Sequence, residues 1–92
     1  MNVLIIEDEK PAARRLSRLL SELEMEVSTM LHSVEESIAW FQKNPHPDLI
    51  FLDIQLSDGL SFEIFDEVEV KSAIIFTTAY DEYALQAFKL NS

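Results

Sequence analysis

With 48% apolar and 26% charged residues, a chain of 92 amino acids reads as one compact domain and leaves nothing over for a second core. Seven Lys and Arg stand against 17 Asp and Glu, a formal net charge of −10 that opposes approach to DNA, RNA or an anionic membrane, with no basic patch to override it. The lack of cysteine excludes a disulfide framework, a thiol nucleophile and Cys-ligated zinc; with no membrane-length apolar run and no secretory signal in the first residues, a cytoplasmic location is the expectation.

The first run, Val3 to Ile6, is wholly apolar and predicts a strand covered on both faces, as in the middle of a parallel sheet. Pro11 suits the first turn of a helix. From there to Leu23, helical spacing puts Ala12, Leu16, Leu19, Leu20 and Leu23 on one face, with Arg14, Arg15 and Arg18 on the other. Met25 to Leu31 alternates in part, with Met25, Val27 and Thr29 against Glu26 and Ser28, and predicts an edge strand. Ser33 opens a second helix as its cap, with Glu36 bonding back; Val34, Ile38 and Trp40 or Phe41 turn inward until Asn44-Pro45 stops it. Leu49 to Leu52 is again a fully covered strand.

Asp58-Gly59, with the chain's single glycine, marks a turn. A shorter third helix fits Leu60 to Val68, another covered strand fits Ala73 to Phe76, and Asp81 caps a fourth helix running to Leu90. His32 and His46 read as exposed and uninvolved. The order βαβαβαβα predicts an α/β domain, a doubly wound parallel sheet with right-handed crossovers. Asn91-Ser92 ends on a helix, with no fifth strand or covering helix after it, so a truncated unit is expected.

In an open parallel sheet, ligands bind outside the carboxyl ends of the strands. Those positions hold Glu7-Asp8-Glu9 after the first strand, Asp53 after Leu49–Leu52, and Thr77-Thr78 after Ala73–Phe76. Taken alone, the first set also fits a solvated turn ahead of a helix, Asp53 a turn residue, and Thr77 ordinary strand preference. Gathered at one rim, the carboxylates repel one another unless one protonates or a cation neutralises them. A donor set of oxygens with no Cys or nearby His suits Mg²⁺. Asp53, which ends a central strand by itself, is then the candidate for an aspartyl-phosphate, with Thr78 donating its hydroxyl to a phosphoryl oxygen. A Mg²⁺-dependent phosphohydrolase would want a second acid two residues on, where this chain has Gln55.

Three segments, Leu4-Ile5-Ile6-Glu7-Asp8-Glu9, Asp53-Ile54-Gln55-Leu56-Ser57-Asp58-Gly59 and Phe76-Thr77-Thr78-Ala79-Tyr80, resemble in order and spacing the receiver domains of two-component response regulators. The resemblance spans the whole chain, 1–92. Thr77 to Ala84 with Ala87-Phe88 is most similar to receivers of regulators that carry a LytTR-type DNA-binding domain, the LytR/AlgR family, a domain not expected within these 92 residues.

The resemblance implies a flavodoxin-like fold with strand order 2-1-3-4 and a function as phosphoacceptor module, a signalling switch and not an enzyme. It implies that Asp53 accepts a phosphoryl group from a sensor histidine kinase. Mg²⁺ would be held by Glu7, Asp8, Asp53 and the backbone carbonyl of Gln55, with Thr78 as the switch hydroxyl and Ala79 as the small residue giving the phosphoryl group access. Glu7 stands where Asp is commoner, and Ser57 where Pro is usual. The family's invariant lysine and aromatic switch residue belong to a fifth strand beyond Ser92; neither Lys71 nor Lys89 fits that place. From this the alternative expectation is an inefficiently phosphorylated piece that acts by self-association, as a homodimer or strand-exchanged oligomer along the last strand. DNA would be contacted through the missing output domain and not by these residues.

Overall fold

A computed structural model describes residues 1–77. The element order is β1 (Val3–Ile6), α1 (Lys10–Glu22), β2 (Val27–Leu31), α2 (Val34–Lys43), β3 (Leu49–Leu52), β4 (Gln55–Leu56), β5 (Gly59–Leu60), α3 (Phe62–Glu67) and β6 (Ala73–Phe76). Thr78, Ala79 and the helix expected over Asp81 to Leu90 lie outside the described residues.

β1, β2, β3 and β6 form one sheet in the order β2-β1-β3-β6, every pair parallel. This is the predicted order 2-1-3-4, with a small antiparallel hairpin, β4-β5, inserted before the last strand. β2 stands at one end of the sheet, as its alternation predicts. β1 lies inside, and its alternate side chains serve two cores. Val3 and Ile5 pack with Ala13 and Leu20 of α1, while Leu4 and Ile6 pack with Ile50, Leu52, Val34, Phe41 and Ile64 under α2 and α3. All four β1 residues are at most 1% exposed, which is why the run contains no polar residue.

Ser33 caps α2 as expected: its Oγ accepts from the Glu36 amide at 3.0 Å. The return bond from Glu36 goes to the amide of His32, one residue earlier than a capping box requires, at 2.7 Å. On α1 the expected apolar face is too broad. The helix meets the sheet along a narrow stripe of Ala13, half-buried Leu16 and Leu20, leaving Leu19 50% and Leu23 70% exposed. The third helix is shorter than expected. Leu60 pairs with Gln55 in the hairpin and gives its amide to Glu63 Oε2 at 2.9 Å, and Val68 is already extended.

The expectation for the two histidines is corrected. Both are half-buried, and both have bonded rings. His46 Nδ1 accepts from the Lys71 amide at 3.3 Å, which leaves Nε2 to carry the proton facing the Phe41 carbonyl, also at 3.3 Å.

Candidate metal centre

Parallel register builds the rim. Ile6 pairs with Leu52, so the next residue of each strand, Glu7 and Asp53, emerges side by side, and the Asp53 amide donates to the Ile6 carbonyl at 3.0 Å. Glu7 is fixed on its other side by donating its amide to the Leu31 carbonyl of β2 at 2.9 Å. Thr77 takes the equivalent place after β6, donating to the Leu52 carbonyl at 3.0 Å.

Each of Glu7, Asp8 and Asp53 offers a carboxylate oxygen, and these three atoms lie within 4.8 Å of one another. All three residues are half-buried. The electrostatic consequence is large. Burial, a hydrogen bond to Asp8 and the charges of Asp53 and Asp8 push the Glu7 carboxyl up to about 7, although it accepts the Glu9 amide at 3.0 Å. Burial also raises Asp53, while a hydrogen bond with Glu7 and the amides of Gln55 and Ile54 pull it back. Three hard oxygen donors at this spacing, unneutralised by any cationic side chain in ion-pair contact among the described residues, fit a small divalent cation that retains several waters. Gln55 follows on β4, exposed and paired with Leu60, so its backbone is held next to the cluster in sequence while its side chain faces solvent.

Two further residues sit around this centre. His32, the first residue after β2, places Nδ1 2.9 Å from the Glu7 carbonyl oxygen. Its position just past a strand end was the available signal, the same one that pointed to Glu7, Asp53 and Thr77. Asp58 is more than a turn residue: its Oδ1 accepts from the Val34 amide at 2.8 Å and its Oδ2 from the Glu35 amide at 3.0 Å. Those two bonds, formed at the start of α2, hold the Asp58 carboxyl below the usual range. The reach from residue 58 to residue 34 is long-range, and local sequence carries no trace of it.

The sequence profile of the response regulator receiver domain matches residues 3–92. The chain is 42% identical over its whole length to the "Sensory transduction protein LytT" of Bacillus anthracis, and 38% identical to the "Transcriptional regulatory protein LytR" of Staphylococcus aureus. It spans 39% of the length of each of these curated relatives. Among solved structures it is similar to the response regulatory domain of protein mrkE from Klebsiella pneumoniae, with a TM-score of 0.81 and 35% identity, covering 100% of this chain and 78% of that one.

Proposed function

The chain belongs to the response regulator receiver domain family of two-component systems, and from that premise we propose that it is a phosphoacceptor switch in which Asp53 takes a phosphoryl group from a sensor histidine kinase. The observation that supports this is the convergence of Glu7, Asp8 and Asp53 from two adjacent strand ends to within 4.8 Å. Those carboxylates, with the backbone carbonyl of Gln55, would hold Mg²⁺. When bound, the ion would neutralise the crowded acids and the phosphoryl oxygens.

Asp53 is the nucleophile of the proposed reaction. Its carboxylate oxygen forms the new bond to phosphorus as the bond from phosphorus to the kinase imidazole nitrogen breaks, and the electron pair leaves with the imidazole. The neighbouring amides of Gln55 and Ile54 favour the charged form of this carboxyl against the burial that raises it. Thr78 and Ala79 complete the proposal by sequence position: the Thr78 hydroxyl follows the phosphoryl oxygen, and Ala79 leaves it room. Exposed Gln55, standing where a hydrolase would carry a second acid, supports a switch that stores the phosphoryl group over one that turns it over. Within a longer, cytoplasmic protein, the switch would govern an output domain that acts in transcription, in line with the names of the LytT and LytR relatives.

Incubation with a small acyl-phosphate donor and Mg²⁺, followed by intact-mass measurement, tests the assignment. One added phosphate, lost in Asp53→Asn, is expected. No adduct on the unmodified chain, or an adduct that persists in the variant, overturns it.

A second reading is favoured by β6, which ends the described sheet with Ile75 47% exposed: two copies would pair along that strand. Light scattering should then show dimers at high concentration, and a monomer throughout counts against it.

A further inference from the structure

We propose that the junction of β2 with α2, residues 32–35, is a strut that grips both halves of the metal centre, with His32 and Asp58 as positioning residues that never touch the ion. The inference rests on the reading of that centre as a Mg²⁺ site and concerns what holds its ligands in place.

The ligands come from two separate pieces of chain. Glu7 and Asp8 belong to the loop after β1, whereas Asp53 and the Gln55 carbonyl belong to the segment leading into the β4-β5 hairpin. From one side, His32 Nδ1 lies 2.9 Å from the Glu7 carbonyl oxygen, closing the Glu7 loop onto the end of β2; the Glu7 amide already bonds the Leu31 carbonyl beside it. From the other, both oxygens of Asp58, at the tip of the hairpin, accept from the Val34 and Glu35 amides. The hairpin itself is closed by the pairing of Gln55 with Leu60 and by the Ser61 amide donating to the Ile54 carbonyl at 2.7 Å. A displacement at Asp58 is therefore transmitted to Gln55 through two residues of paired backbone.

The junction is rigid enough to act this way. His32 donates its amide to Glu36 Oε1 and Ser37 its amide to the Ser33 carbonyl, and neither bond uses the Ser33 side chain. Asp58 gains little from burial, being exposed, so its two charge-assisted bonds act by fixing geometry. Gly59 allows the close approach. Its φ of 150° is one that side chains rarely adopt, and a Cβ there would collide with the Glu63 carboxylate that receives the Leu60 amide.

The test is Mg²⁺ titration followed by Trp40 fluorescence and rim amide shifts, in the unmodified protein and in Asp58→Ala, Asp58→Asn, His32→Ala, His32→Asn and Ser33→Ala. Asp58→Ala and His32→Ala should each weaken Mg²⁺ binding about tenfold, the lower end for residues that orient ligands. The Asn variants, which keep an acceptor or a donor at the same place, should recover part of it. Ser33→Ala frays the same helix end without breaking either grip and should leave affinity unchanged. Equal affinity in all variants, or an equal loss in Ser33→Ala, overturns the strut.

Amide exchange of the metal-free protein separates this from the reading beneath it. If the unmodified protein binds no Mg²⁺, the metal-site reading fails, and exchange still decides the strut. Asp58→Ala should speed exchange at Ser61, and His32→Ala at Glu7, while Ser33→Ala does neither; unchanged rates at both amides overturn it.

Discussion

Ile6 and Glu7 are consecutive residues of one strand end and live under opposite rules. Ile6 and its register partner Leu52 are each 1% exposed, in a core shared with α2 and α3. Glu7 and Asp53, the next residue of each strand, are half-buried acids that the same register forces together with Asp8. Pairing that stabilises the strand bodies therefore concentrates like charge at the strand ends. The bodies supply the stability, and the rim spends part of it holding a repulsion that a cation would relieve. Substitutions in the two regions should accordingly move stability in opposite directions.

The largest effect belongs to the body. Leu52→Ala should cost about 3 kcal/mol, read from urea unfolding, because it removes buried methyl groups from a core with little room to collapse. For a domain of this size that is a large share of the total. One position further along, Asp53→Asn should do the reverse in metal-free protein. Relieving the repulsion at a group that solvent still screens would add about 1 kcal/mol. The variant should also lose the stabilisation that Mg²⁺ gives the unmodified protein. An Asp53→Asn protein as destabilised as Leu52→Ala would break the comparison.

An effect of similar size is expected from pH. Burial, first, then the Asp8 hydrogen bond and the charges of Asp53 and Asp8 lift Glu7 from 4.5 to about 7 in the folded state. Folded protein then binds the proton more tightly than the unfolded chain, so this contribution is fully present below pH 4.5 and is lost as pH rises through 7. Glu7 is only half-buried, and about 1 kcal/mol remains after solvent screening. Asp58 acts in the other direction. Its carboxyl is lowered from 3.8 by the Val34 and Glu35 amides, so its contribution holds above pH 3.8 and fades as acid is added. Unfolding midpoints measured without metal should therefore decline from pH 4.5 to 7, and Mg²⁺ should flatten the decline. A flat metal-free profile would mean that the rim acids are not crowded in solution.

The strand bodies were legible in the sequence because full burial leaves a local mark, an unbroken apolar run such as Val3 to Ile6. From the runs followed the parallel sheet and the rim acids at its carboxyl edge, while the strand order was an expectation of the family resemblance. The β4-β5 hairpin was not legible. Two residues per strand are too few to show a period, and the helical content of Phe62 to Val68 masked its return strand. Nor was the role of Asp58 legible, since its bonds join residues 24 apart in the chain. His32 was within reach. It follows a strand end as Glu7 does, but its strand stands at the edge of the sheet and lacks the unbroken apolar run that marks the central ones.

The smallest expected effect returns to the body of the fold, on α1. Helical spacing alone gives Leu20 and Leu23 the same standing, three residues apart on one face. The fold separates them: Leu20 is 5% exposed in contact with β1, and Leu23 is 70% exposed at the point where the helix stops. The stop is made by the backbone. The Leu23 amide donates to the Leu20 carbonyl, the Glu24 amide to the Ser21 carbonyl, and Glu24 takes a φ of 62°. None of these bonds needs the Leu23 side chain, so Leu23→Gln should shift stability by less than about 0.5 kcal/mol. Leu20→Ala, which empties a filled site against β1, should cost about 2 kcal/mol. Equal costs at the two positions would show that α1 rolls on the sheet and buries the broad face its sequence offers, which would also carry the loop of Glu7 and Asp8 away from Asp53.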